Sequence, residues 1–371
     1  MQEPIRVAQI MGKLWAGGVE MVVFNYYRAI DKSKIQFDFY YDADSTVEPP
    51  QELIDMGARF IKIPPYQKLP QYLKTLKKHF RENNYKIVHS HINTLSVFPL
   101  YMAWRCGIPV RIAHNHSVPS GKEIKRDFLK QVLRRFSTVF PTDYFACSER
   151  AGRWLFGNKL ADEKQVFIMR NAIDFDRFLQ NYDKTQTLKK ELGIQGKRVI
   201  GHVGRFTFAK NHMFLLELFK EYSVNHTDAI LVLIGDGELH NDILTKIDAL
   251  DLSDRVVLVG KVSNPQDYYG IIDVLVLPSV FEGLPLTVIE AQISGIPVIM
   301  SEVVSDDAII SNGVRKVYLE APLKKWINEI DSSIGIKIVL NDKARNYDVR
   351  TQVIRLEEWY ISHEKKVYGE E

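Results

Sequence analysis

Cysteine is nearly absent: the 371 residues contain two, Cys106 and Cys147. Such scarcity excludes a disulfide framework and fits a reducing compartment. Neither cysteine has a paired metal-ligand spacing, so both read as small core residues. An excess of charge of either sign is also missing. With 49 Lys and Arg against 46 Asp and Glu, the formal net charge is +3. That balance gives no case for nucleic acid as a partner. Long apolar runs are lacking too: the longest, TLSVFPLYMAW at 94–104, has about half the length of a bilayer-spanning helix. The start, MQEPIRVAQIMG, has no apolar stretch behind a basic one, so no export signal is expected. Low-complexity segments and short internal repeats are absent as well. These exclusions leave a cytoplasmic globular protein, in keeping with 46% hydrophobic and 26% charged residues.

What is there is an alternation of strand-like and helix-like segments. Strands are expected at 5–11, 37–41, 59–63, 86–91, 110–116 and 144–148, and a second set at 198–204, 229–237, 255–260, 273–278 and 297–301. Residues 166–178 read as a crossover and 182–197 as a polar linker with a short helix. The pattern predicts α/β architecture with two doubly wound, mostly parallel sheets. Domain boundaries follow: 1–180 as a first Rossmann-like domain, 181–345 as a second, and an amphipathic helix at 346–364 returning to the first.

Chemistry is expected at the carboxyl ends of strands, where open α/β sheets bind ligands. FEGLPLTVIEA (281–291) puts Glu282 in a strand-to-helix loop and Glu290 about two turns into a helix ending at Gly295. GHVGRFTFAKNH (201–212) carries Gly204, Arg205 and Lys210; glycine permits close backbone approach, and the two cations suit a polyphosphate. In the first domain, Gly17 and Gly18 precede a helical pattern whose N-terminal amides suit an anion. Histidines pair at 89/91 and 114/116, each pair on one face of its strand, and one of His114 and His116 is expected to touch substrate. Four histidines without an acidic or cysteine ligand at matching spacing do not read as a metal site. Asp42-Ala-Asp44 and Asp174-Phe-Asp176 read as solvated loops. The basic segments 67–86 and 120–136 read as surface helices, with contact to an anionic membrane as the functional alternative.

Together, E-x7-E at Glu282 and Glu290, G-R-x4-K at Gly204, Arg205 and Lys210, and the twin α/β domains resemble retaining glycosyltransferase family four. GGVE (17–20), VHSHIN (88–93), RNAIDFDRF (170–178) and IGDGEL (234–239) strengthen the likeness, which spans nearly the whole chain and is closest to bacterial capsular and exopolysaccharide transferases. The resemblance implies the GT-B fold, two Rossmann-like domains facing a cleft. It implies transfer of a hexose with retained configuration from a nucleotide sugar, a UDP-hexose or UDP-N-acetylhexosamine, to a growing, lipid-linked glycan. No metal or other cofactor is implied. Location would be cytoplasmic, with peripheral contact at the inner face of the cell membrane through basic helices of the first domain.

Residue by residue, the resemblance implies that Glu290 binds the ribose and Glu282 faces the hexose, while Arg205 and Lys210 neutralise the diphosphate as the anomeric bond breaks. Gly17, Gly18, Gly204, Val262, Gly283, Leu284 and Leu286 would line the donor site. Two departures stand out. Gly283-Leu284-Pro285 replaces the family's small-Phe-Gly, and Pro285 has no amide to offer a sugar. Counting from Pro109 to the family histidine lands on Asn115, between His114 and His116, with His116 favoured. The alternatives are a sugar-nucleotide epimerase and a catalytically silent partner that binds a sugar nucleotide; retention of Arg205, Lys210, Glu282 and Glu290 together speaks against silence.

Overall fold

Residues 3–15, 17–116, 130–262 and 264–368 are described by the computed structural model, in which the chain separates into two units. One joins Met1–Asp174 to Asn346–Glu371, and the other is Phe175–Arg345.

The first unit holds β1 (Ile5–Gly12), β2 (Ile35–Asp42), β3 (Arg59–Ile63), β4 (Ile87–Ser90), β5 (Val110–Asn115), β6 (Asp143–Ala146) and β7 (Val166–Ile168). They form one parallel sheet in the order β3-β2-β1-β4-β5-β6-β7. Strand order reverses between β1 and β4, where Gln9 pairs with His89. Every residue of β2 and β4 is buried, the mark of strands covered on both faces.

The second unit holds β8 (Arg198–Val203), β9 (Ala229–Ile234), β10 (Val256–Gly260), β11 (Val274–Leu277), β12 (Val298–Ser301) and β13 (Val314–Val317). Its sheet is parallel in the order β10-β9-β8-β11-β12-β13, with its reversal between β8 and β11. AILVLI of β9 and VLVL of β11 are buried throughout. Each Val, Leu or Ile side chain so removed from water contributes about 1.5–3 kcal/mol. The core they enter is anchored by Trp326, Tyr222 and Phe219, all at or below 1% exposure.

Two expectations need correction. Residues 166–168, read within a crossover, form the edge strand β7, and β13 was not read at all. Both lie at sheet edges and have one strand partner; β7 is apolar but only three residues long, and VRKV of β13 exposes Arg315 and Lys316, so neither reads as a central strand.

The C-terminal helix, Val349–Tyr368, belongs to the first unit. Val349, Val353, Leu356 and Tyr360 are buried, a stripe at helical spacing. Trp359 meets Phe145 edge-on at 4.8 Å, and Glu357 accepts from the Asp31 amide at 2.6 Å.

Candidate active site

The second sheet's reversal point gathers the charged residues. From β8 the chain enters Gly204 and a 3₁₀ turn, Phe208–Lys210; Asn211 then takes a left-handed conformation and the helix His212–Asn225 begins. Close backbone packing fixes this loop. A Cβ on Gly235, at φ +145°, would sit 2.0 Å from the Gly204 carbonyl oxygen, and one on Gly237 would sit 2.4 Å from that of Phe206. Phe206 also donates its amide to Asp236 and accepts from Leu239, so IGDGEL cradles the loop holding Arg205 and Lys210.

Lys210 and Glu282 meet directly: Nζ lies 2.6 Å from Oε1, with side chains 17% and 10% exposed. Ser279 Oγ donates to the same oxygen at 2.7 Å, fixing the carboxylate from the end of β11. An ammonium has three N–H donors, so Lys210 can hold Glu282 and still bind a phosphate oxygen. Arg205 is exposed, 3.5 Å from Glu238. Glu290 is the fifth residue of the helix Leu286–Ile293, a little over one turn in and not two. Its Oε2 accepts from Tyr269 at 2.6 Å. Burial pushes the carboxyl up to about 7, against opposing pulls from the Tyr269 hydrogen bond and the Lys210 charge. Around the two glutamates, Gly283 is exposed, Leu284 half-buried, and Leu286 opens the helix after Pro285. Val262 is half-buried beyond β10.

Beneath the loop lie His202 and His212, both fully buried, with ring centroids 4.6 Å apart. Burial holds His202 well below its ordinary range and brings His212 down to about 4, helped by repulsion from Lys210. Neither residue was singled out from sequence, nor were Tyr269 and Ser279. Only the position of Ser279, three residues before Glu282, was a usable signal.

At the reversal point of the first sheet the polar side chains are neutral. His89 stacks on His91 with centroids 4.2 Å apart, and His114 on His116 at 3.8 Å. Alternation thus does bring each pair to one face. His91 bonds His116 at 2.9 Å, and His89 bonds His114 at 3.1 Å. Burial holds the first three well below the ordinary histidine range and His116 down to about 3. His114 Nε2 and His116 Nδ1 have no partner among the described residues. Nitrogens of His89, His91 and His114 lie within 4.8 Å of one another, the spacing of a metal cage. Yet both nitrogens of His89 and of His91 already hold hydrogen bonds, which a metal would have to replace.

The glycine pair behaves differently from expectation in one respect: the Gly17 amide donates to Glu20 Oε2 at 3.1 Å, and the Trp15 amide to Oε1 at 3.0 Å. A ligand meeting Gly17 competes with Glu20, while the Gly18 amide opens the helix Gly18–Ala29. Asp42 is not solvated: it is 5% exposed, and burial with repulsion from Asp44 raises its carboxyl to about 7. Asp44 pairs with Lys13 at 3.0 Å. Of the basic segments, 67–86 forms the helix Leu69–Asn83, whose Tyr72, Leu76 and Phe80 are buried. Residues 120–129 of the other lie outside those described. No described helix is long and apolar enough to cross a membrane.

Two Rossmann-like units, one with a paired Lys and Glu at its sheet's reversal point and the other with a histidine cluster there, have the domain architecture of the GT-B type. Residues 16–177 match Glycosyltransferase Family 4, and residues 184–345 match Glycosyl transferases group 1. The chain is 32% identical to EpsF of Bacillus subtilis, provisionally named a glycosyltransferase, over 88% of this chain and 86% of that one. It is 25% identical, over 92% and 89%, to an Escherichia coli enzyme named UDP-Gal:alpha-D-GlcNAc-diphosphoundecaprenol alpha-1,3-galactosyltransferase. Identity to the Staphylococcus aureus capsular polysaccharide biosynthesis glycosyltransferase CapH is 26%, over 96% and 99%. In fold, it is similar to the Anabaena HepE structure in complex with UDP and glucose, at a TM-score of 0.72 and 15% identity over 98% of each chain. The chain therefore belongs to glycosyltransferase family four, and it is a glycosyltransferase.

Proposed function

We propose that the enzyme transfers a hexose or N-acetylhexosamine from a UDP-sugar to a growing, lipid-linked glycan during capsule or exopolysaccharide synthesis. The observation that carries the donor assignment is the Lys210–Glu282 pair at the reversal point of the second sheet, with Glu290 close enough to feel the Lys210 charge. Lys210 and Arg205 would neutralise the diphosphate as it becomes the leaving group, the place where transition-state charge grows. Glu290 would accept both ribose hydroxyls, and Glu282, already turned by Ser279 and Lys210, would meet the hexose. With these cations in place, the departing diphosphate needs no divalent ion. Donor choice and the lipid-linked acceptor draw on the relatives' names, and retention on the family resemblance. A cytoplasmic location with peripheral contact at the membrane's inner face follows from such an acceptor.

Thermal unfolding with UDP, GDP, ADP and their common sugars, in EDTA, tests this reading. A ligand that binds only the folded state raises stability by mass action. Stabilisation by UDP and a UDP-sugar, surviving EDTA and reduced in Arg205→Ala, is expected. Preference for another nucleotide, or loss of the shift in EDTA, overturns the donor or the metal-free assignment respectively.

A further inference from the structure

Two hydrogen-bond chains run under the histidines of the first sheet, and both start from Gln9 on β1. The Gln9 amide oxygen lies 2.7 Å from His91 Nε2, and its amide nitrogen donates to the Tyr360 phenol oxygen at 3.2 Å. An amide oxygen only accepts, so His91 carries its proton on Nε2. A neutral imidazole has one N–H. His91 Nδ1 is therefore bare and accepts from His116 Nε2, 2.9 Å away, which leaves His116 Nδ1 bare and without a partner among the described residues.

The second chain runs through the C-terminal helix. Among the described residues the Tyr360 phenol proton has one acceptor, His89 Nδ1 at 2.6 Å. His89 then donates from Nε2 to His114 Nδ1 at 3.1 Å, and His114 is left with an unpartnered Nε2–H. Each step needs neutral rings, and the four histidines are between 0% and 9% exposed. The outcome is a single tautomer, Nε2–H, at all four positions. The stacked pair therefore holds one N–H, on His114, and one bare nitrogen, on His116, both buried and without a partner among the described residues.

We propose that Gln9 and Tyr360 are positioning residues that set the tautomers of His114 and His116, leaving a free donor on one ring and a free acceptor on the other to be completed by a sugar hydroxyl. A hydroxyl both accepts and donates, and it would complete two buried polar atoms that otherwise lack partners. Ownership of the hydroxyl by a transferred or acceptor sugar rests on the transferase reading; the tautomers rest on the geometry alone. Turning the Gln9 amide over reverses every bond in both chains and makes all four rings Nδ1–H, so the four histidines share one state in either orientation.

Long-range proton–nitrogen NMR of the full chain with labelled histidine reads this directly. One common tautomer at His89, His91, His114 and His116 is expected, and a mixture among them overturns the scheme. In Gln9→Glu the new carboxylate accepts from both Tyr360 and His91, so the common state splits: His89 and His114 are Nδ1–H while His91 and His116 are Nε2–H. Tyr360→Phe, a mild change, frees the tautomers of His89 and His114 and leaves His91 and His116 fixed. The same variant is expected to lower kcat with acceptor roughly 10-fold, with the stabilisation by UDP unchanged. Unaltered kcat in Tyr360→Phe, or a His114 tautomer that does not respond, refutes the positioning role. If the tautomers come out as drawn but no nucleotide stabilises the wild-type protein, the transferase assignment of the donor fails and the hydrogen-bond scheme stands.

Discussion

At the reversal point of the second sheet the polar side chains are charged and opposed in sign, Lys210 against Glu282, with Glu290 poised near neutrality. At the matching point of the first sheet they are uncharged and chained, four histidines, Gln9 and Tyr360. Both edges sit where strand order reverses, so topology alone does not separate them. The ligands we propose for them do. A diphosphate leaving group develops charge and calls for cations, whereas a sugar hydroxyl calls for neutral donors and acceptors held in fixed directions. Neutral rings tolerate full burial, while buried charges persist only when paired.

The largest effect should come from breaking the charged side. Lys210→Ala is expected to lower turnover about 100- to 1000-fold, the range for losing one preorganised group at developing charge. It also leaves Glu282 with Ser279 as its remaining partner among the described residues, at a cost of about 2–3 kcal/mol, somewhat below that of a fully buried pair. Adding Glu282→Gln should restore most of the melting temperature and none of the turnover. Assaying both variants with saturating UDP-sugar separates the roles; restored turnover in the double variant would mean that Lys210 acts only on Glu282.

The same contrast governs how much was legible in sequence. Arg205, Lys210, Glu282 and Glu290 were singled out because charged residues at strand ends in a doubly wound chain are informative before any folding. Central strands were equally visible, since AILVLI and VLVL have no polar alternation. The partners that tune these groups were not visible. Tyr269 is 21 residues from Glu290, and Tyr360 is 271 from His89, so only the fold brings them together. Tyr360 lies in a segment read only as an amphipathic helix; its ring packs in the apolar stripe, and its hydroxyl matters because two buried polar groups meet it. The buried state of Asp42 was hidden likewise, because a D-x-D triplet after a strand does not reveal what covers it.

A smaller but still large effect should sharpen the neutral side through pH. The depressed histidines bind a proton less readily folded than unfolded, so their contribution is present above the ordinary value of 6.5. It is lost as pH falls toward about 4 at His212 and about 3 at His116. Each histidine then adds about 1.4 kcal/mol of destabilisation per pH unit below that threshold. Four such residues lie in the first unit and two in the second. Hydrogen exchange at pH 7, 6 and 5 should therefore show protection falling sooner in β4 and β5 than in β8. Equal loss in both sheets would show that acid sensitivity does not follow the histidines.

The smallest effect concerns Glu290, where the charged side keeps a group that is strained by its own charge. Its folded value, about 7, stands above the 4.5 of an ordinary glutamate. A raised carboxyl favours the folded state fully below the unfolded value, and that advantage is lost as pH rises through the folded one. At pH 8 the wild-type protein therefore carries an ionised carboxylate that folding disfavours. Glu290→Gln, which keeps an oxygen for Tyr269, should be more stable than wild type by about 2 kcal/mol at pH 8 after allowance for its partial exposure. The gap should close as pH falls below 4.5. Binding should move the other way: a carboxylate accepts two ribose protons and an amide oxygen holds them less firmly, so UDP affinity should drop roughly 10-fold. Calorimetric melting from pH 5 to 8 with and without UDP gives both numbers. Higher stability with weaker binding identifies Glu290 as a residue held for its ligand at the expense of the fold, and lower stability at pH 8 would instead assign it to the framework beside Tyr269.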